Sequence, residues 1–306
     1  MHRQSPTRFG RAVLIAWSAG MSALALAVPV PQVAAAAGAA APVTAAARAQ
    51  SAGTPVWNHD PASSDGPPHW STLTTDWAAC GGADDQSPVA LGRGRRAPLP
   101  ALRVEYPPVP LVAENTGHVI EAPQPADQPG TLRFGADIYR LVQWHVHAPS
   151  EHVLRGHRYD LEVHLVHRDS QGRTLVLAVL ADTARSGGSA AELLRRTLRA
   201  APVQSGEETD TGTTASAIAL LPRDVRRTGY SSAVAGEYLT YGGSLTTPPC
   251  TTGVRWVVLP TAIHVGDRTV ARLHALVARF PGYAGYPDNN RPLQPLGSRT
   301  VLRRAG

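Results

Sequence analysis

The stretches "YRLVQWHVHAPSEH" (139–152) and "YDLEVHLVHR" (159–168) decide the fold prediction. Both alternate apolar and polar residues with a period of two, which is typical of β-strands. Side chains two positions apart share a face of a strand, so His145 and His147 project together. The turn-forming segment "RGHRYD" (155–160) favours pairing of the two strands as an antiparallel hairpin.

In such a hairpin, His164 of the second strand joins His145 and His147 to form a site of three imidazoles. Zinc binds neutral imidazole nitrogens in tetrahedral geometry and keeps one position open in catalytic sites. A ligating histidine usually donates its other N–H group to an oxygen acceptor. Gln143 lies two residues before His145, and Glu162 lies two residues before His164, so each can provide that acceptor.

The H-x-H pattern alone is not specific to zinc enzymes. A buried histidine is more often a hydrogen-bonded core residue than a metal ligand, and His167 lies on the opposite strand face from His164. Cupin-type metal oxidases and amidohydrolase barrels also carry H-x-H. The barrel would require many more helices than this chain offers.

The rest of the chain also favours a mainly β fold with few helices. Helices are predicted at 189–201 and 267–280, the second beginning at Asp267. Short apolar runs separated by Pro and Gly predict further strands. The additional predicted strands are "ALRVEY", "TLRFG", "TLVLAVLA" and "VRWVVLP". Together these elements indicate one domain at 57–303.

Composition and charge suit a folded protein with a small-molecule substrate. Of the 306 residues, 43% are hydrophobic and 17% charged, and the net charge of +6 comes from arginine, with no lysine. Four arginines lie in residues 1–50, and without them the charge is +2. The remaining arginines are scattered along the sequence, so we expect no nucleic-acid partner.

The N-terminus predicts export. Arginines precede the apolar stretch "AVLIAWSAGMSALALAV", and an Ala-rich tract follows it, as in a secretory signal peptide. We place the signal at 1–36, with an approximate cleavage site, and a flexible lead-in at 37–56. An uncleaved membrane anchor is the alternative. The prediction is a secreted or periplasmic protein without a membrane span after cleavage.

The two cysteines, Cys80 and Cys250, are an even pair far apart in sequence. In an oxidising compartment such a pair is a plausible disulfide, and two separate free thiols are the alternative.

The sequence resembles the α-class carbonic anhydrases, particularly the exported bacterial type. The motifs that carry the resemblance follow one another in family order: "CGGADDQSPV", "NTGHVI", "YRLVQWHVHAPSEH", "DLEVHLVHRDSQG", "YGGSLTTPPC" and "NNRPLQPL". The resemblance implies a large, mostly antiparallel central sheet with a few peripheral helices and zinc at the floor of a conical cavity. It also supports a Cys80–Cys250 disulfide.

The resemblance assigns roles to individual residues. It implies His145, His147 and His164 as ligands of Zn²⁺, with Gln143 and Glu162 as their hydrogen-bond partners. The remaining assignments are His118 as the proton shuttle, Thr246 as a hydroxyl that donates to Glu151, His152 as structural, and a substrate site formed by Val166, Val179, Leu245, Thr246, Thr247, Val254 and Trp256.

Three positions depart from the family pattern. His59 stands near the cavity mouth where the family commonly has Tyr, Glu121 replaces Asn or Gln, and Thr116 replaces Asn. We expect the negative charge of Glu121 to raise the pKa of His118.

The implied activity is the reversible hydration of CO₂ to bicarbonate by attack of zinc-bound hydroxide, which makes the protein a zinc lyase. Sulfonamides and anions are the expected inhibitors, and a homodimer is compatible with the resemblance. The alternative is a catalytically silent binding module on the same fold.

Overall fold

A mixed sheet of 14 strands organises the protein in this computed structural model, which describes residues 55–184, 188–229 and 231–304. The signal and most of the lead-in predicted at 1–56 lie outside the described residues. The strands are β1 (Ala90–Leu91), β2 (Arg95–Arg96), β3 (Leu102–Glu105), β4 (Val109–Asn115), β5 (Ile120–Pro123), β6 (Thr131–Phe134), β7 (Asp137–His147), β8 (Val153–Leu154), β9 (His157–Arg158), β10 (Leu161–Arg168), β11 (Thr174–Thr183), β12 (Glu208–Ala215), β13 (Arg226–Arg227), β14 (Ser232–Ala235), β15 (Tyr238–Ser244), β16 (Thr252–Val265) and β17 (Leu302–Arg304).

The large sheet has the strand order β13-β14-β3-β6-β7-β10-β11-β16-β15-β17-β2, and β12-β4-β5 branches from β7. Its pairs are antiparallel except β11 with β16 and β17 with β2. The mostly antiparallel central sheet predicted from the sequence is therefore confirmed. The strands β1, β8 and β9 form a separate small sheet.

Three α-helices lie among the described residues: α1 (Trp70–Leu73), α2 (Ser189–Ala200) and α3 (Asp267–Val277), and a 3-10 helix spans Thr75–Gly81. The sequence predicted α2 and α3 with nearly the same bounds. Both helices bury one apolar face; on α2 this face includes Leu193, Leu194 and Leu198. None of the described helices is long and apolar enough to span a membrane.

Strand alternation divides the core into two layers. On β11, Leu177 and Val179 pack into the larger cluster, while Val176 and Ala178 pack into a second cluster with Trp256. The second layer covers the sheet face that carries His164, because His164 pairs directly with Ala178. The functional site therefore lies on the face of the smaller apolar layer.

The predicted neighbours β7 and β10 are paired, with His145 directly opposite His164. The predicted connection is wrong, however, because the turn at Arg155 and Gly156 joins β8 to β9 rather than β7 to β10. A hydrogen bond from the Arg155 amide to Leu91 O ties this turn to β1 instead.

Candidate metal centre

Three histidines converge on one point of the sheet, since β7 provides His145 and His147 and β10 provides His164. The three residues offer ring nitrogens that lie within 4.8 Å of one another. His147 and His164 are buried and His145 is partly buried. Burial lowers the pKa of His145 and of His147, which keeps both imidazoles neutral as metal ligation requires.

One nitrogen of each ring is already engaged. His145 Nδ1 donates to Gln143 Oε1 at 2.8 Å, and His164 Nε2 donates to Glu162 Oε1 at 2.9 Å. His147 Nδ1 donates to the backbone oxygen of Asn289 at 2.7 Å. These acceptors fix the proton on the outer nitrogen of each ring, so the inner nitrogen presents a lone pair.

The inner nitrogens show whether the site suits a metal. His147 Nε2 is buried without a hydrogen-bond partner among the described residues. His145 Nε2 and His164 Nδ1 face each other at 3.3 Å, although neither carries a proton when the outer nitrogens are donors. Three lone pairs pointing at one another are unfavourable without a cation between them. The residues present therefore fit a zinc ion.

Glu162 anchors the centre from below. Burial opposes its ionisation, but the charges and hydrogen bonds of His152 and His164 hold the pKa of the Glu162 carboxyl well below its usual range. Its two oxygens accept from His152, through the backbone amide at 2.7 Å and Nδ1 at 2.6 Å. His152 Nε2 contacts Tyr241 Oη at 2.6 Å, so both ring nitrogens of His152 are engaged by other side chains.

Glu151 is fully buried, and its carboxylate oxygens lie 3.8 Å from His147 Nδ1 and 3.9 Å from His164 Nε2. Its Oε1 accepts from the Arg291 amide at 2.8 Å, and its Oε2 accepts no hydrogen bond from the described residues. The predicted bond from the Thr246 hydroxyl to Glu151 is therefore not formed here. Thr246 is 5% exposed, and Thr247 follows it in the loop between β15 and β16.

Four of the residues that the resemblance assigns to the substrate wall lie together in the second apolar cluster. Val254 and Trp256 belong to the second apolar cluster, with Val166 and Leu245 packed against it. The Trp256 ring lies 4.8 Å from that of His164, and its Nε1 donates to Ser244 O. The wall therefore adjoins the metal centre.

The assignment of Val179 to this wall is wrong. Val179 is fully buried in the larger cluster, on the opposite face of the sheet from His164. Its place is taken by Val176, which pairs directly with Val166 and belongs to the second cluster. The phase of β11 cannot be read from "TLVLAVLA", because both faces of that strand are apolar.

His118 is positioned by the tight turn between β4 and β5. Gly117 adopts φ +86°, and a Cβ there would lie 2.5 Å from Ser205 Oγ, so the turn requires glycine. Thr116 Oγ1 accepts from the amides of His118 and Val119, so its hydroxyl stabilises the turn. The His118 ring stacks on Trp57 with centroids 3.6 Å apart.

The expected effect of Glu121 on His118 is wrong. Burial raises the pKa of Glu121 to about 8, with a contribution from Glu114, so the carboxyl is neutral at pH 7. Burial lowers the pKa of His118 to about 3. A neutral carboxyl cannot stabilise an imidazolium, and desolvation therefore dominates at both residues.

His59 is not at an open mouth but fully buried. Its Nδ1 contacts Tyr283 Oη at 2.5 Å, and its ring packs against Trp57 and Trp70. Burial, followed by the charges of His147 and His118, holds the pKa of His59 well below its usual value. His167, predicted to be structural, is likewise buried and contacts Tyr106 Oη at 2.8 Å.

The disulfide is formed: Cys80 and Cys250 are bonded, with Cα atoms 5.0 Å apart, and the described chain has no free cysteine. The bridge lies in a small cluster with Trp57, Trp70 and Trp77.

The sequence analysis missed Asn289 and Arg291, both inside the motif "NNRPLQPL". The Asn289 side chain accepts from the Ala148 amide at 2.9 Å and donates to Val146 O at 3.1 Å. Arg291 is 1% exposed and donates to Gln86 Oε1 and to the backbone oxygen of Cys80. A charged residue that is buried with several acceptors indicates a positioning role, which the motif itself could have suggested.

Comparisons with known proteins agree with this geometry. The family model described as eukaryotic-type carbonic anhydrase matches residues 65–305. The chain belongs to that family. A carbonic anhydrase from Neisseria gonorrhoeae is 33% identical over 234 residues, which cover 76% of this chain and 82% of the relative.

The chain is also similar to a second known protein and to a solved structure. Dioscorin DB3L from Dioscorea polystachya is 33% identical over 237 residues, covering 76% of this chain and 80% of that protein. The structure of the α-carbonic anhydrase from Thermovibrio ammonificans with the inhibitor sulfanilamide superposes with a TM-score of 0.68 at 30% identity. That match covers 82% of this chain and the whole of the other.

Proposed function

We propose that this carbonic anhydrase family member catalyses the reversible hydration of CO₂ to bicarbonate and a proton. The observation that carries the proposal is the convergence of three imidazole lone pairs whose outer nitrogens are fixed by Gln143, Glu162 and Asn289. His145, His147 and His164 would hold the zinc ion. When bound, zinc supplies the Lewis acidity that lowers the pKa of a water molecule toward neutrality.

Three histidines suit that task because imidazole binds a metal as a ligand without charge. Ligands without charge leave the ion its full double charge, and burial keeps His145 and His147 in that form. The acceptors behind the rings prevent them from turning. Glu162 accepts from His164 Nε2 and so holds that ring in the tautomer that presents Nδ1.

Thr246 and Glu151 orient the reacting oxygen in this proposal. Glu151 is fixed by the Arg291 amide through Oε1 and leaves Oε2 without a hydrogen bond among the described residues. The Thr246 hydroxyl, which does not bond to Glu151 in this structure, would donate to that oxygen in the working enzyme and would then have to accept in its second hydrogen bond. The Thr246 amide, next to Thr247, helps to hold the substrate oxygen or an inhibitor.

The apolar wall holds CO₂. Val166, Val176, Leu245, Val254 and Trp256 offer a surface without hydrogen-bond demands, which suits a molecule that has no net dipole. Bicarbonate, which carries a charge, gains nothing from such a surface and leaves it. The wall therefore favours substrate over product at the reacting position.

His118 carries the proton away from the site. In the stack on Trp57, burial lowers the pKa of His118 to about 3, so the ring is a poor proton acceptor there. Proton transfer to solvent at neutral pH therefore requires the ring to leave the stack for a more hydrated position.

Metal analysis with a CO₂-hydration assay tests this function. We expect about one zinc per chain, activity that is lost with a chelator and restored by zinc, and inhibition by a sulfonamide. Purified protein that binds zinc in that ratio but hydrates CO₂ no faster than buffer would instead identify the silent binding module.

We also propose that the catalytic domain spans residues 57–303 and is exported. The N-terminal pattern has the features of a signal peptide, and the Cys80–Cys250 disulfide suits an oxidising compartment. N-terminal sequencing of protein recovered from the periplasm or the medium should begin near residue 37. Protein in the membrane fraction that still begins at Met1 would contradict the proposed cleavage and export.

A further inference from the structure

An arginine strip crosses the large sheet outside the metal centre. It consists of Arg103 on β3, Arg133 on β6, Arg140 on β7 and Arg168 on β10. These four strands are consecutive neighbours in the sheet. Arg133 and Arg140 belong to one hairpin, whereas Arg103 and Arg168 are distant in sequence and are brought to it by the fold.

The strip contains two directly opposed pairs of like charge. In the antiparallel register, Arg103 is the partner of Arg133, and Arg140 is the partner of Arg168. Ile138, two residues before Arg140, is the partner of Arg133, so all four side chains leave the same face of the sheet. Like charges directly opposite each other destabilise a sheet.

The four arginines of the strip have no ion-pair partner in the described part of the chain. None of the four forms a salt bridge or a side-chain hydrogen bond there, whereas Arg173 nearby pairs with Asp137 and Asp169. The first three members of the strip are exposed, and the member on β10 is partly exposed. Glu105 lies two residues after Arg103 on the same face of β3, but it is opposite Thr131 and forms no salt bridge with the strip in the described structure.

The spacing of the strip fits a linear polyanion. Neighbouring strands are about 4.8 Å apart, so the four strands place positive charge along about 14 Å of open surface. A small anion would require groups that converge on one point, but these arginines lie side by side. Guanidinium groups bind carboxylate and sulfate in a planar, two-bond geometry.

The surroundings distinguish among polyanions. The strip has no exposed aromatic side chain on which a nucleic-acid base could stack. Ile138, 46% exposed, is the one exposed large apolar side chain on it, too little for insertion into a membrane surface. We propose that the arginine strip binds an acidic polysaccharide, whose carboxylate or sulfate groups pair with Arg103, Arg133, Arg140 and Arg168.

The test compares two fourfold variants of the full protein with equal net charge. The strip variant carries Arg103→Gln, Arg133→Gln, Arg140→Gln and Arg168→Gln. The control carries Arg96→Gln, Arg199→Gln, Arg268→Gln and Arg279→Gln, at surface positions without a side-chain hydrogen bond or salt bridge in the described structure. Melting temperatures verify that both variants are folded.

The probes are heparin and polygalacturonate, with binding followed by calorimetry over a series of salt concentrations. We expect the strip variant to bind either probe at least about tenfold more weakly and with a smaller salt dependence, and the control to stay within about twofold of the wild type. Equal losses in both variants would refute a specific strip. So would tighter strip-dependent binding to anionic phospholipid vesicles or to single-stranded DNA.

Discussion

The proposed metal ligands are three histidines whose neighbours define their chemistry. His145, His147 and His164 each donate one N–H group to a fixed oxygen, so their free nitrogens are determined by hydrogen bonding and not by sequence position alone. Residues that hydrogen-bond to the ligands, such as Glu162, also affect metal affinity, since their loss typically weakens metal binding 10- to 100-fold.

His147→Ala should abolish stoichiometric zinc binding and reduce CO₂ hydration to the uncatalysed rate. Two imidazoles and a water-filled gap cannot replace the third ligand. Zinc content by atomic emission and stopped-flow hydration provide the measurements. The matched control is His157→Ala, which removes an exposed histidine on β9. Retention of one zinc per chain by His147→Ala would contradict the assignment of His147 as a metal ligand.

His118→Ala should lower turnover in weak buffer by about tenfold or more, because it removes a group that typically contributes 10²- to 10⁴-fold as a proton carrier. Added imidazole should restore most of the turnover, while zinc content stays unchanged. A pH–rate profile in both buffers measures the effect. Unaltered turnover in weak buffer would mean that His118 carries few of the protons.

At the scale of elements, an irregularity in β7 determines which of its side chains share the face of the three histidines. A bulge at Val142 changes the phase of alternation, because Leu141 pairs with His167 and Gln143 pairs with Val166. Arg140 and His145 therefore lie on one face although their sequence positions differ by an odd number. Simple alternation along the sequence would put them on opposite faces.

The disulfide joins the short helices at the start of the domain to the loop before β16. Cys80→Ser with Cys250→Ser should lower the free energy of unfolding by about 3–5 kcal/mol, because the bridge closes a long loop of the unfolded chain. Its sequence separation is 170 residues. Denaturant titration measures the change, and the wild type in reductant should be as stable as the double variant. Equal stability of all samples would contradict a stabilising role of the disulfide.

At the scale of the whole molecule, buried neutral histidines couple folding to pH. Burial lowers the pKa of His167 to about 3, against about 6.5 in an unfolded chain. Above pH 6.5 neither state binds the proton, so the group has no effect. As the pH falls from 6.5 to 3, only the unfolded state takes up the proton, and stability decreases.

His167→Gln should therefore make the stability less dependent on pH in that window. Removing one such proton reduces the slope by at most ~1.4 kcal/mol per pH unit, while the amide can still bond to the Tyr106 hydroxyl. Urea unfolding at several pH values between 4 and 7 measures the slope. His157→Gln, at an exposed position, is the control, and identical slopes for wild type and His167→Gln would refute the buried neutral state.

Much of this protein follows from local pattern. Period-two alternation identified β7 and β10 and placed the three histidines on one face, and helical periodicity located α2 and α3, because each of these signals depends on residues close in sequence. The pair of cysteines made a Cys80–Cys250 disulfide plausible and the resemblance supported it. The proposed roles of Thr246 and Glu151 came from the resemblance alone, since no local rule links residues so far apart.

Tertiary structure alone decided the remaining features. It buried Glu121 and His118 and so set their protonation, it put Val176 rather than Val179 against the metal centre, and it brought Asn289 to His147. It also gathered arginines that look scattered in sequence into one strip. Desolvation, strand register and phase are properties of contacts between distant segments, and a single strand does not encode them.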